Sequence, residues 1–159
     1  IPAMASGGVS NGRALAAVLA AGAEGAWLGT AFLATPDAVE VPDAFKEQIV
    51  KSDGRDTVFT GLYDLIGDSP WPQGIAARVY YNRFVQRWDG QDEEIQRRKE
   101  ELASDAAEAW AQQDPEVASV YMGQSAASVS SIRPAGEVLR DICGEAERIL
   151  RDRFQELGL

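Results

Sequence analysis

The sequence has 159 residues, 45% hydrophobic and 25% charged, which suits one globular domain with a core of its own. Its formal net charge of −10 argues against nucleic acid or an anionic membrane surface as a partner, because both need Lys and Arg to neutralise phosphate. It has no histidine and one cysteine, Cys143, which excludes a Ser-His-Asp triad, an internal disulfide and a cysteine metal cage within these residues.

The run 1–5 is apolar at every position, the pattern of a parallel strand covered on both faces. Ser6-Gly7-Gly8 follows, a sharp turn whose glycines carry no Cβ to hold a ligand away from the backbone. Ser10 or Asn11 can cap the next helix, expected over 12–21 with Leu15, Val18 and Leu19 in a stripe. Its alanines keep it thin enough to lie close to a sheet, and Gly22 stops it. Ala26-Trp27-Leu28 reads as a second apolar strand, ended by Gly29-Thr30. Strand, turn, helix and strand in this length make a βαβ crossover, and parallel strands rarely stand as a lone pair.

Further on, a helix is expected over 42–52 with Phe45, Ile49 and Val50 inward. The stretch 57–60 can be a short strand, and 77–81 can be strand or helix within a segment, 75–88, that reads as helical. The prolines and glycines of 67–74 mark a loop. A long polar helix is expected over 92–113, with Glu93–Arg97 and Glu94–Arg98 as i,i+4 pairs and a thin stripe of Ile95, Leu102, Ala106, Ala109 and Trp110. Small residues fill 115–131 around Gly123-Gln124-Ser125. Pro134 opens a final helix with Val138, Ile142, Ala146, Ile149 and Leu157 on one face.

Gly7 and Gly8 at one strand end, with Gly29 and Thr30 at the next, form the strongest constellation. In a parallel α/β protein these ends share a rim, where backbone N–H groups beside a helix amino end attract phosphate. The Thr30 hydroxyl would add a donor. Spacing alone leaves open that these are only turn glycines. Asp64 with Asp68 and Glu100 with Glu101 read as solvated carboxylates rather than acid–base or metal pairs. Trp71, Tyr80, Tyr81 and Trp88 read as packing, and Cys143 as a small hydrophobe on the final helix.

SGGVSNGRALAAVLAAGAEGAWLGTAFLAT resembles the late barrel segment of the nitronate monooxygenase (2-nitropropane dioxygenase) family. The matching positions are Ser6, Gly7, Gly8, Val9, Gly12, Arg13, Gly22, Ala23, Gly29, Thr30 and Phe32. YDLIGDSPWPQGIAARVYYNRF resembles the family's segment with Trp-Pro, a Gly and an Arg ahead of Asn. VYMGQSAASVSSIRPAGEVL resembles its closing Gly-Gln-Ser/Ala segment and last helix. The three motifs keep the family's order.

The resemblance implies an α/β fold, the C-terminal part of a TIM-type (β/α)8 barrel with strands 7–8 followed by a mostly helical tail. It divides the chain into 1–35, the last two βα units, 36–115, a mainly helical insertion, and 116–159, the closing loop and helix. It implies FMN as cofactor, its phosphate held by Gly7, Gly8, Gly29 and Thr30. Trp27 and Leu28 would line the site through their backbone. Gln124 and Ser125 lie near the flavin or serve as a packing turn. The substrates implied are an alkyl nitronate and O2, giving a carbonyl compound and nitrite. Many relatives carry Arg after Gly-Thr, where this sequence has Ala31, and the family's catalytic histidine has no counterpart here. The expectation is a cytoplasmic fragment whose base lies upstream of Ile1, completed by the missing barrel half or by self-association. An FMN-dependent enoyl reductase using NAD(P)H and an inactive interaction module are the alternatives.

Overall fold

The computed structural model describes residues 1–159 apart from 68, 70, 73, 157 and 159. β1 (Met4–Ser6) and β2 (Gly25–Trp27) pair in parallel, Met4 opposite Gly25 and Ser6 opposite Trp27. α1 (Gly12–Ala20) connects them. Of the two candidate caps, Asn11 does the work: its Oδ1 accepts the Ala14 N–H at 2.9 Å. The strands differ from the expected all-buried pair. Met4 is 60% and Trp27 71% exposed, because among the described residues β1 and β2 pair with each other and with no further strand.

α2 (Thr30–Leu33) follows β2 directly, and α3 (Asp43–Lys51) buries Phe45 and Ile49 as its spacing predicts. Lys46 is also buried, its ammonium 3.2 Å from Asp43. The segment 36–115 is not simply helical. β3 (Thr57–Thr60) and β4 (Ala77–Tyr80) pair antiparallel, with α4 (Leu62–Ile66) between them in sequence. Residues 120–122 lie along the other edge of β4: Tyr80 N–H donates to Val120 O at 2.9 Å and Met122 N–H to Arg78 O at 3.2 Å.

The helix expected over 75–88 is therefore split. Two flanking partners hold 77–80 extended, and α5 (Arg83–Trp88) begins only at its cap, Asn82. The long helix expected over 92–113 is also two, α6 (Asp92–Arg97) and α7 (Lys99–Ala111). The break falls at Arg98 (φ −112, ψ 19), whose guanidinium lies 4.8 Å from the Trp88 ring centre. Ile95, Leu102 and Ala109 are the buried positions of the pair, a thin apolar stripe on otherwise solvated helices, as the spacing predicts. The Glu93–Arg97 pair forms at 3.4 Å, but Arg98 turns to Glu101 and leaves Glu94 to Arg97 at 2.9 Å.

One core gathers Leu62, Tyr63, Phe84, Trp88, Ile95 and Leu102, and a second gathers Ala34, Phe45, Ile49, Val120 and Met122. Asn82, wholly buried, stands where the first core meets the chain segment 115–118. Its Oδ1 caps α5 through the Val85 N–H at 2.9 Å, and its amide hydrogens go to the Pro115 and Ala118 carbonyls, each at 2.9 Å. Tyr63 donates its hydroxyl to Val117 O at 2.8 Å.

Burial pushes the Tyr63 phenol above its ordinary value of 10.0. Below pH ~10 the phenol keeps its proton in both the folded and the unfolded chain, so stability does not depend on it. Above pH ~10 the unfolded chain loses the proton and the folded one keeps it, so stability falls, by at most about 1.4 kcal/mol per pH unit. Urea unfolding from pH 9 to 11 should show this decline, and Tyr63→Phe should flatten it.

α8 (Ala135–Glu156) returns the chain to α1, burying Ile142 and Ala146. Cys143 is exposed rather than on the apolar side, since it lies one residue, about 100° of helix, past Ile142. Leu157 of the expected stripe lies outside the described residues. Among the described residues no helix is long and apolar enough to cross a membrane.

Candidate functional site

Because β1 and β2 run parallel with Ser6 opposite Trp27, the turns that follow them leave from the same edge. Gly7 (φ +86) and Gly8 (φ +75) lie in the left-handed region, and a Cβ built on either would meet nothing within 4 Å. Gly29 is equally open. It precedes α2, in which Phe32 and Leu33 N–H donate to the Gly29 carbonyl at 2.9 and 3.1 Å, leaving the Thr30 and Ala31 N–H groups without a partner within the helix. The rim is thus open at its three glycines, with the Thr30 and Ala31 N–H groups at its edge. Trp27 and Leu28 reach it through the main chain, with the Trp27 indole turned to solvent.

Thr30 is buried, and its Oγ1 accepts the Gly123 N–H at 2.9 Å. The hydroxyl hydrogen remains free to donate. This contact brings the 3-10 turn Gln124–Ser128 to α2, so the structure joins Gly29 and Thr30 with Gln124 and Ser125. Gln124 is exposed and Ser125 half-buried. From the other side Gly54 (φ +80) abuts the turn: a Cβ there would lie 2.3 Å from Gln124 O.

The amino end of α1 is already occupied. Gly12 N–H donates to Glu145 Oε2 on α8 at 2.8 Å, and Ala14 N–H to Asn11. A carboxylate offsets the positive end of that helix. The amino end of α1 is thus already paired, whereas the Gly7-Gly8 turn stands open. Glu145 carries no local signal for this role, being 133 positions away.

Ala31, 5% exposed, lines a cavity of about 180 Å3 together with Ser10, Arg133, Asp141 and Glu145. A longer side chain at 31 would take up part of this cavity, which the Asp141 and Glu145 carboxylates also line. Arg133 already stands beside them, 2.7 Å from Asp141. Of the weaker candidates, Trp88 is buried packing, whereas Trp71 and Tyr81 are 62% and 44% exposed. Glu101 pairs with Arg98, whose guanidinium holds its carboxyl below the usual range. Asp68, the proposed partner of Asp64, lies outside the described residues. Among the described residues no group of three His, Cys, Asp or Glu could hold a metal.

A parallel βαβ unit with its glycine turns on one edge places the chain in the α/β class, and solved structures of that shape exist. FabK from Thermotoga maritima superposes with a TM-score of 0.78 at 31% identity, over 98% of this chain and 47% of that one. Nitroalkane oxidase from Streptomyces ansochromogenes does so with a TM-score of 0.76 at 28% identity, over 97% and 41%. The family model for nitronate monooxygenase matches residues 1–145, and the chain belongs to that family. A nitronate monooxygenase of Metarhizium robertsii, npaC, is 33% identical over 156 residues, covering 94% of this chain and 43% of that protein. A probable nitronate monooxygenase of Staphylococcus aureus is 29% identical over 154 residues, covering 95% and 40%. The chain spans less than half the length of the curated relatives it matches.

Proposed function

We propose that the protein is an FMN-dependent nitronate monooxygenase-like oxidoreductase, and that residues 1–35 are strands 7–8 of its TIM-type (β/α)8 barrel. The observation that carries the reading is the open rim: Gly7 and Gly8 at positive φ with empty space where a Cβ would stand, beside the Thr30 and Ala31 N–H groups at the start of α2. A phosphate fits such a rim, because close approach and convergent N–H groups are what it requires. Gly7, Gly8, Gly29 and Thr30 hold the phosphate, Trp27 and Leu28 border it through their backbone, and Gln124 and Ser125 close the side that Gly123 fixes to Thr30. FMN, when bound, supplies the electron transfer by which a nitronate is oxidised with O2.

These residues bind and orient; none of them is a histidine, and the group that takes the substrate proton lies outside them. The exposed faces of β1 and β2 are covered by the remainder of a barrel wall or by a second copy. The purified protein should bind FMN at least about tenfold more tightly than riboflavin, a difference of roughly 1.4 kcal/mol carried by the phosphate. Equal affinities would sink the phosphate rim. The complete protein should take up O2 in response to nitronate, and residues 1–159 alone should turn over little. NAD(P)H consumption with no response to nitronate would favour the enoyl reductase alternative.

A further inference from the structure

We propose that Asn82 and Tyr63 are positioning residues of the rim, setting the register that seats Gly123 on Thr30. The proposal rests on the cofactor reading above only for its consequence, not for its geometry. Asn82 is wholly buried, and both of its amide hydrogens are spent on the 115–118 backbone, at the Pro115 and Ala118 carbonyls. Tyr63 adds a third tie at the Val117 carbonyl. Capping α5 needs only the Asn82 oxygen, so these donors do something a capping Ser or Asp would not.

Their effect runs along the chain. With Ala118 O anchored, Val120 O meets Tyr80 N–H and Met122 N–H meets Arg78 O, so 120–122 takes one register on β4. Val120 and Met122 then face the second core, both 2% exposed, and Tyr121 faces out. A slip of one residue would turn Val120 and Met122 to solvent. It would also carry the Gly123 N–H away from Thr30 Oγ1, now 2.9 Å distant. The helical core around Tyr63 thereby governs a turn that borders the glycine rim.

The test uses Tyr63→Phe and Asn82→Ala in the purified protein, with Leu102→Ala as a control that loosens the same core and leaves the 115–118 carbonyls paired. Amide hydrogen exchange at Gly123 and the Kd for FMN are measured in each. Tyr63→Phe and Asn82→Ala should speed Gly123 exchange and weaken FMN binding, each about tenfold. Leu102→Ala should lower the melting temperature as much, yet move neither quantity more than twofold. If both variants match the control, the proposal is overturned. If the unmodified protein binds no FMN, the cofactor reading fails by itself and Gly123 exchange alone decides: faster in both variants supports the proposal, unchanged overturns it.

Discussion

Gly12→Ala is expected to destabilise the protein by about 2 kcal/mol, the usual range for overpacking. Helix propensity alone predicts the opposite sign, since alanine is favoured over glycine inside a helix by about 1 kcal/mol. Contact decides the sign. A Cβ at Gly12 would stand 2.4 Å from the Glu145 Cβ, 2.7 Å from the Ala146 nitrogen and 2.7 Å from the Ile142 oxygen. Two of these atoms belong to the α8 backbone and cannot swing aside, so the helices must part. Parting them also stretches the Gly12–Glu145 hydrogen bond, which leaves a helix amino end without its carboxylate. Urea denaturation measures the loss. Ala17→Gly, at an exposed position of the same helix, provides the comparison and should cost only the propensity, about 1 kcal/mol. A Gly12→Ala protein more stable than the parent would mean that α1 and α8 do not approach this closely.

Gly8→Val is expected to have the largest effect on binding. At φ +75 a β-branched residue is strained, and a stability cost of about 1–2 kcal/mol follows from the backbone alone. Nothing surrounds the new side chain, so the fold should survive. Its methyl groups would instead occupy the open space on the rim. FMN affinity should fall by at least about tenfold, roughly 1.4 kcal/mol. Riboflavin, which lacks the phosphate, should bind the variant and the parent alike. Unchanged FMN affinity in Gly8→Val would show that the Gly7-Gly8 turn holds no phosphate.

What the sequence made legible was local. The βαβ unit, the Asn11 cap, the glycine turns and the inward faces of α3 all follow from spacing and from the backbone demands of single residues. What it hid was set by pairing over distance. Residues 77–80 look as helical as strand-like in isolation, and only two hydrogen-bonded neighbours, β3 and 120–122, make them extended. The expected long helix breaks at Arg98, beside the ring of Trp88. At the site, Gly29 and Thr30 were readable as a strand end, but the acceptance of the Gly123 N–H by Thr30 was not. The same holds for Glu145, whose carboxylate accepts the Gly12 N–H at the start of α1.

The joining of α1 to α8 also orders events during synthesis. Gly12 and Glu145 are 133 positions apart, so their contact closes a loop that spans most of the chain. At roughly 5–20 residues per second, a ribosome adds that span in about 7–27 s. Throughout that interval the nascent chain carries a complete Gly7-Gly8 turn on an unbraced helix. α1 gains its α8 brace only once Glu145 has been made. α1 therefore waits for the far end of the chain before it packs, and a chain stalled before Glu145 should show faster amide exchange along α1 than the finished one.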